Sequence, residues 1–296
     1  MNYYNEIKNK LIDNEVYSKV KDYSKEKHTL ITHYEVGKLL LEAGSAYGED
    51  IIGNFSYKLT VEVDKKYNPR TLRRMRQLYQ FFEKQKWSPM GTKLSISHIR
   101  QLFSLTNSNE INYYAEQIEK RNLSKRQLEE IIKNDEYERL PIETKNKFMN
   151  NKKLEVKDLV PNPILIRNKD NIEIITEKIL QKLILEDIPA FLKELGTGFT
   201  FIDNEYKVKI DDRYNYIDLL LYNIKYKCYV VVELKITELK KEHTGQIMTY
   251  MNYIDKHIKT LEENKTVGII ICKQDNDYVI RYCSDDRIIA RKYELI

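Results

Sequence analysis

The spacing of apolar residues divides the chain into a helical first half and a second half in which strands and helices alternate. From about residue 16 to residue 43, apolar positions recur at intervals of three and four, as they do on one face of a helix. Asn68-Pro69 is typical of an N-cap followed by proline at the first helical position. Ser124 and Gln127 match a capping box that opens another helix. The first half is therefore predicted to be all-α.

The second half begins with a helical pattern and continues with runs rich in β-branched and aromatic residues. The helical pattern covers residues 172–195, is interrupted at Pro189 and ends at Gly196. The predicted strands cover 199–202, 206–210, 214–222, 228–234, 267–272 and 278–282, and a long helix is predicted over 239–261. The strand that follows this helix is nearly all apolar, which predicts parallel pairing and a sheet covered on both faces. The second half is therefore α/β.

The boundary between the two halves lies where the apolar periodicity lapses, between about residues 146 and 171. Val160-Pro161-Asn162-Pro163 in this stretch is typical of an extended connection. The chain is therefore predicted to have two domains, 1–150 and 171–296, joined by a linker over 151–170. In fold class it is an α+β chain with an all-α N-terminal domain and an α/β C-terminal domain.

Composition excludes several classes of protein. The chain is 42% hydrophobic and 32% charged, with only 9 Gly and 6 Pro, which is typical of a well-ordered globular protein. It contains no apolar run near the roughly 18 residues that a spanning helix needs, and its start lacks the apolar core of a signal peptide. Its 3 cysteines include no C-x-x-C pair, which argues against a disulfide framework and a thiolate zinc site. We expect a cytoplasmic protein with no membrane partner.

Positive charge is concentrated between Lys58 and Arg100, where eleven basic residues accompany three acidic ones. On the helix predicted after Pro69, one face carries Arg70, Arg73, Arg74 and Gln77, and the opposite face carries Leu72, Met75, Tyr79 and Phe82. A basic face of this kind suits a polyanion, because neutralising phosphates supplies much of the affinity for nucleic acid. The alternative interpretation is an ordinary solvated face of lysines and arginines.

Three charged residues interrupt the apolar strands of the second half. Asp218 lies within one strand, and Glu233 and Lys235 lie near the end of the next, on the same side of it. If the two strands form a hairpin around residues 223–227, Asp218 and Glu233 meet on one face. Two carboxylates beside a lysine suit a hard cation such as Mg²⁺ and phosphodiester hydrolysis. The alternative is a partly buried ion pair with no catalytic role.

The order of helix, strands, Asp218, Glu233-Leu234-Lys235, helix and strand resembles the core of the PD-(D/E)XK nucleases. More narrowly, the chain resembles the YhcG family along most of its length. The matching segments are 216–222, 231–236 and 245–250 in the second half, and Tyr47-Gly48, 72–77, 94–98 and Leu128-Glu129 in the first. The resemblance implies a restriction-endonuclease-like C-terminal domain with a mixed central sheet.

The resemblance also implies roles for individual residues. Asp218 and Glu233 would be the metal-binding acids and Lys235 the catalytic lysine. A further acid comes from the first core helix in this superfamily, and Glu194 is our candidate, with Glu177 as the second choice. Ile217 stands where the proline of the motif is found, and that proline is not a metal ligand.

Gln246 and Tyr250 are similar to the Gln-x-x-x-Tyr feature that lies beside the active site in RecB-like members. They are four residues apart and so share one face of a helix. An ordinary polar helix face is the alternative interpretation.

The predicted function is thus that of a nuclease dependent on Mg²⁺, or on Mn²⁺ in its place, acting on DNA and binding nucleic acid through its helical domain. Two alternatives stay open. The nuclease fold would serve as the scaffold of a non-catalytic DNA-binding or regulatory protein, or the helical domain would tether the nuclease to a protein partner, as in a host-defence system. Two cuts on antiparallel strands would suit a homodimer.

Overall fold

The computed structural model describes residues 2–19, 25–47, 50–150, 152–210, 212–283 and 285–296. The chain forms two compact units, residues 1–134 and residues 135–296. None of the described helices is long and apolar enough to cross a membrane.

The described part of the first unit is helical, as predicted. Its helices are α1 (Tyr3–Lys19), α2 (Lys25–Tyr47), α3 (Ile51–Glu62), α4 (Pro69–Gln85), α5 (Ile96–Leu102), α6 (Ser108–Arg121) and α7 (Lys125–Lys133). The Asn68 side chain caps α4 by accepting the N–H of Thr71 at 3.1 Å, and the predicted capping box opens α7. The described residues of the pattern over 16–43 belong to two helices, α1 and α2.

Helices α1 to α4 together supply a buried apolar cluster of the first unit, in which α2 packs against α4. Leu72, Met75 and Phe82 of α4 are buried, which confirms the predicted apolar face. The two helices lie close together at Gly37 of α2, where an added Cβ would lie 2.1 Å from the carbonyl oxygen of Met75. Any side chain at residue 37 would therefore push the helices apart.

The second unit is a mixed sheet with helices on both faces. Its elements are α8 (Ile142–Met149), α9 (Val156–Leu159), β1 (Ile164–Ile166), α10 (Glu177–Glu186), α11 (Ile188–Leu195), β2 (Phe199–Ile210), β3 (Arg213–Asn223), β4 (Cys228–Glu238), α12 (Lys241–His257), β5 (Val267–Gln274), α13 (Asp277–Cys283) and β6 (Ile288–Leu295). The described strands lie in the order β1-β6-β5-β4-β3-β2. β3 is antiparallel to both of its neighbours, β2 and β4, whereas β5 is parallel to β4 and β6 to β5. The parallel pairing predicted for the strand-helix-strand unit is confirmed.

Apolar side chains fill both faces of this sheet. One face packs against α10 and α11, and the other against α12 and α13. Gly268 of β5 lets α12 approach closely, because a Cβ there would lie 2.7 Å from Sδ of Met251. Burial on both faces explains why β4 and β5 are nearly all apolar. Charged residues are unusual in such strands, and β3 and β4 carry three of interest: Asp218, Glu233 and Lys235.

The structure differs from the sequence prediction at the domain boundary. Residues predicted as a linker over 151–170 include α9 and β1, and their side chains enter the core of the second unit. β1 pairs in parallel with β6, and the Arg291 guanidinium donates to the carbonyl oxygens of Val160 and Lys157. A three-residue strand has too few local signals to be predicted, because its stability comes from a partner more than 120 residues away.

The predicted strand over 278–282 is wrong. Those residues belong to α13, and the Asn276 side chain accepts the N–H of Val279 at 3.2 Å at its start. The last strand is β6, which the sequence analysis did not predict. A short apolar run does not distinguish a buried strand from a helix that packs on a sheet.

Candidate active site

Asp218 of β3 and Glu233 of β4 lie where the pairing between these two strands ends. The predicted hairpin is present, and the last backbone pair at this end joins Leu219 to Val232. The same register brings the next two residues, Asp218 and Glu233, opposite each other. Beyond the last pair, Oδ2 of Asp218 accepts the N–H of Leu234 at 2.8 Å. A side-chain carboxylate therefore continues the contact between the strands after the backbone ladder has stopped.

Glu233 and Lys235 project from the same face of β4, as predicted. Nζ of Lys235 lies 3.2 Å from Oε2 of Glu233 and 4.0 Å from Oε2 of Glu177. Glu233 is only 1% exposed. Its other oxygen, Oε1, is buried and accepts no hydrogen bond from the described residues. Such an oxygen is costly to bury without a partner.

The electrostatics of this group follow from burial and mutual proximity. Burial raises the pKa of Glu233 to about 8, and the charge of Asp218 adds to this rise. Burial also raises the pKa of Asp218, although the Leu234 N–H and Lys235 oppose it. For Lys235, burial lowers the pKa, but Glu233, Glu177 and Asp218 together bring it above its ordinary value. The lysine is thus a firmly held cation, whereas Glu233 retains a proton near neutral pH in the absence of another cation.

Helix α10 brings two polar residues to this group. Glu177 begins the helix and faces Lys235, and Gln181 follows one turn later. Nε2 of Gln181 donates to the backbone carbonyl oxygen of Asp218 at 2.9 Å. Gln181 thereby fixes the backbone of β3 at the position that carries the carboxylate. The sequence analysis did not identify Gln181, although its spacing of four from Glu177 places both on one helix face.

Glu194, our first candidate for the additional acid, lies elsewhere. Its carboxylate forms an ion pair with the Arg139 guanidinium, with the two side chains only 10% and 13% exposed, and accepts the N–H of Leu165 at 2.9 Å. Arg139 also donates to the carbonyl oxygen of Pro163 at 2.7 Å. Glu194 therefore anchors the segment around β1. Glu177, the second choice, is the acid of this part of the chain that lies beside Lys235.

The residues predicted on α12 lie close to one another. Nε2 of Gln246 donates to Oη of Tyr250 at 3.2 Å, which confirms that they share a face. Burial raises the pKa of Tyr250, and Glu233 and Asp218 also act on its hydroxyl electrostatically. At the start of α12, Nδ1 of His243 accepts the N–H of Lys240 at 3.1 Å. A neutral ring in this arrangement carries its proton on Nε2.

Within the described residues, no three His, Cys, Asp or Glu side chains converge as a complete metal-binding group. The group instead offers two carboxylates, Asp218 and Glu233, with one buried oxygen that lacks a partner. This donor set fits Mg²⁺, which binds through one or two carboxylates and completes its coordination with water and substrate phosphate. It does not fit a closed structural zinc site.

The basic face predicted on α4 is present, but its three arginines differ in exposure. Arg70 and Arg73 are exposed, whereas Arg74 is half-buried. The sequence pattern does not distinguish the three arginines, because a helical projection gives the direction of each side chain but not the residues of other helices that pack near it. Arg100 of α5 lies near Arg74, and its pKa is lowered by burial and by the charge of Arg74.

Comparison with solved structures finds two matches of low similarity. One is described as a repair endonuclease from Pyrococcus abyssi, with 17% identity and a TM-score of 0.31 over 42% of this chain and 49% of that one. The other is described as an EndoMS-dsDNA2 complex, with 16% identity and a TM-score of 0.29 over 44% of this chain and 48% of that one. The chain thus spans about half the length of each of these structures.

Comparison with protein families covers most of the chain. Residues 10–139 match the DUF1016 N-terminal domain, and residues 158–296 match the YhcG PDDEXK nuclease domain. A curated relative from Escherichia coli (strain K12), named Putative nuclease YhcG, is 23% identical over 89% of this chain and 82% of that protein. The second unit therefore belongs to the YhcG PDDEXK nuclease domain family, and the first unit matches the DUF1016 N-terminal domain.

Proposed function

We propose that this protein is a metal-dependent nuclease that hydrolyses phosphodiester bonds in DNA, with Asp218 and Glu233 as ligands of Mg²⁺ or Mn²⁺. The observation that carries the proposal is the Oε1 atom of Glu233, a buried carboxylate oxygen without a hydrogen-bond partner in the described residues. Leaving such an atom unsatisfied costs about 1–3 kcal/mol, and more if it is charged. A divalent cation beside it offsets that cost.

The surroundings of the two carboxylates fit a cation better than a purely structural ion pair. Lys235 donates to Oε2 of Glu233 and leaves Oε1 unsatisfied. Asp218 has only its Oδ2 atom in a hydrogen bond, so its second oxygen is also available. A structural ion pair of this burial would be expected to satisfy its oxygens. Two available oxygens on neighbouring strands are the donors that a hard cation requires.

When bound, the cation supplies charge stabilisation at the phosphate and lowers the pKa of a coordinated water. Lys235 contributes a second positive charge, which Glu233 and Glu177 hold in place. Its ammonium group would donate to a phosphate oxygen as negative charge develops there. Gln181 would keep Asp218 in position through the backbone. Gln246 and Tyr250 would orient substrate at the side of the group covered by α12.

The helical unit would supply affinity for the nucleic acid. Arg70 and Arg73 are exposed on α4, and neither forms a hydrogen bond or ion pair within the described chain. Free guanidinium groups one turn apart match contacts to a phosphate backbone. Binding through them would be independent of sequence and sensitive to salt.

The experiment is incubation of the purified full chain with plasmid, linear duplex, branched DNA, single-stranded DNA and RNA, in Mg²⁺, Mn²⁺ or EDTA. Asp218→Asn serves as the matched control for contaminating nuclease. We expect cleavage of at least one DNA substrate with a divalent cation, and none in EDTA or with the variant. Binding without cleavage in every condition would instead support the non-catalytic alternative. Equal cleavage by the variant would overturn the assignment of the site.

A further inference from the structure

The first unit contains a small cleft that the nuclease site does not explain. Helices α2, α4 and α5 converge on it, and its lining includes His33, Thr71, Arg74, Met75, Arg100 and Phe103. The volume accessible inside it is about 10 Å³. That is room for about one water-sized group, such as a single oxygen atom of a larger ligand.

The cleft collects positive charge, and the described residues that line it include no carboxylate. Neither Arg74 nor Arg100 forms a hydrogen bond or ion pair within the described residues. Burial and then the charge of Arg74 lower the pKa of Arg100, so the two guanidinium groups destabilise each other. By contrast, Arg139 and Arg287 of the second unit are paired with carboxylates. The pair in the cleft lacks the anion that these arginines have.

His33 also lines the cleft, and its ring adds no positive charge there at neutral pH. Burial, followed by the charges of Arg100 and Lys66, lowers the pKa of His33 to about 4. The ring is therefore neutral at pH 7, which limits the local charge to the two guanidinium groups. Lys66 is already paired with Glu15. Glu15 also acts on His33 and opposes the charges of Arg100 and Lys66, but it is not among the residues that line the cleft.

We propose that Arg74 and Arg100 bind one phosphate group, with a single phosphate oxygen entering the cleft beside the Thr71 hydroxyl. This inference rests on the proposed nucleic-acid binding and deepens it, because it separates one specific phosphate contact from the general basic face. The cleft is too small for a base or a whole nucleotide. Two guanidinium groups suit phosphate, whose oxygens accept paired N–H donors. The apolar walls supplied by Met75 and Phe103 strengthen the attraction by excluding water.

The structure thereby divides the three arginines predicted on α4 into two sets. Arg70 and Arg73 are exposed and lie outside the cleft, whereas Arg74 is half-buried and lines the cleft together with Arg100, which is itself exposed. Arg100 lies on another helix, 26 residues further along the chain, and the sequence analysis gave it no role. The two sets provide a matched comparison, because each contains two arginines of the same unit.

The test compares Arg74→Ala/Arg100→Ala with Arg70→Ala/Arg73→Ala, both in the full chain that also carries Asp218→Asn to prevent cleavage. DNA affinity is measured by fluorescence anisotropy over a range of KCl concentrations. We expect the cleft pair to lose about tenfold or more in affinity and about one unit of log–log salt slope, because the pair contacts a single phosphate. The exposed pair should lose only about two- to threefold. Equal losses in the two variants would overturn the proposal.

Three forms of one DNA distinguish the source of the phosphate: a duplex with a 5′-phosphate, the same duplex with a 5′-hydroxyl, and a closed circle. An equal loss on all three assigns the cleft to backbone phosphate, and a loss confined to the first assigns it to a terminal phosphate. Thermal melting shows that the variant is folded, and removing two mutually repelling charges should not lower its melting temperature.

If the wild-type chain does not bind DNA at all, the proposed function of the unit fails, and inorganic phosphate tests the cleft separately. Phosphate, compared with chloride at equal ionic strength, should raise the melting temperature of the wild type but not that of Arg74→Ala/Arg100→Ala. The same response in both proteins would overturn the site.

Discussion

The carboxylates of the second unit and the exposed arginines of the first are both concentrations of charge, but the chain holds them in opposite ways. Glu233 is 1% exposed and is hydrogen-bonded to Lys235, which lies close to Glu177. Arg70 and Arg73 stand in solvent on one side of α4, opposite its buried apolar face. The first arrangement is costly to the folded state, and the second costs it almost nothing.

This difference determines how much each region reveals about function. A charge is rarely buried without a partner, so an unsatisfied carboxylate oxygen in a core points to something that binds it. An exposed arginine is compatible with any partner or with water alone. The candidate active site can therefore be argued from one atom, whereas the basic face needs a binding measurement. The five predictions below test this contrast.

The largest effect is expected at the buried group. Asp218→Asn, Glu233→Gln and Lys235→Met should each lower cleavage by about 100-fold or more, because each removes a group that acts on the cation or the phosphate. Initial rates on the best substrate from the panel measure this loss. Glu173→Gln, at an exposed carboxylate of the same unit, is the control and should leave the rate unchanged. A rate near wild type in Asp218→Asn would contradict the assignment of Asp218 to the site, and with it the contrast between the buried carboxylates and the exposed arginines.

The burial of Glu233 predicts a pH dependence of stability in EDTA. Its pKa is about 8 in the folded chain against an ordinary value of 4.5, so folding favours the protonated form. This contribution is fully present below about pH 4.5 and is lost as the pH rises through about 8. The wild type should therefore lose on the order of 2 kcal/mol relative to Glu233→Gln between pH 6 and pH 8.5. Urea unfolding at both pH values measures it, and a difference that does not change with pH would refute the assignment.

The close packing of α2 against α4, the helix that carries the basic face, gives the next prediction. Gly37→Ala should lower the free energy of unfolding of the first unit by about 1–3 kcal/mol, because its Cβ meets the backbone of α4. Gly44→Ala is the matched control in the same helix, with no atom within 4 Å of its Cβ. It should raise stability by up to about 1 kcal/mol through helix propensity. Similar effects of both changes in denaturant unfolding would argue against the close crossing of α2 and α4.

Substitutions of Glu177 and Glu194 should have different effects, the first on cleavage and the second on stability. Glu177→Gln should lower cleavage by about tenfold, since Glu177 holds Lys235 in place, and should leave stability nearly unchanged. Glu194→Gln should instead destabilise the unit by about 1–3 kcal/mol, because it weakens the buried pair with Arg139. Cleavage is compared per folded molecule. Loss of activity in folded Glu194→Gln would restore Glu194 as the additional acid.

The smallest effect is expected at the exposed arginines. Arg70→Ala/Arg73→Ala should change the free energy of unfolding by less than about 0.5 kcal/mol while reducing the salt dependence of DNA binding. Thermal melting and anisotropy measure the two quantities on one preparation. A clear loss of stability would show that these side chains pack more than their exposure indicates.

Much of the candidate site could be predicted from the sequence because its determinants are local. Alternation along β4 places Glu233 and Lys235 on one side, and a short hairpin brings Asp218 opposite. The roles of these residues remain predictions, but their convergence required only the period of a strand and the length of a turn. The helix α4 and its cap were predicted for the same reason, since Asn68 acts on the next few residues.

Other features depended on residues far apart in the chain. Glu177 and Glu194 both lie on helices that precede β2, and only the packing of α10 and the position of Arg139 decide which of them reaches Lys235. β1 exists because β6, at the other end of the unit, supplies its hydrogen bonds. The position of Arg74 and Arg100 in one cleft likewise depends on how α5 packs near α4.

The helical first half, the hairpin of β3 and β4, and the identity of the buried charges could be predicted from the residues alone, because apolar periodicity and turn chemistry act within a few residues. The packing of distant segments sets which carboxylate joins Lys235, which oxygen of Glu233 lacks a partner and which arginine enters a cleft. Those outcomes are set by desolvation and by contacts between distant segments. Neither quantity exists until the chain has packed.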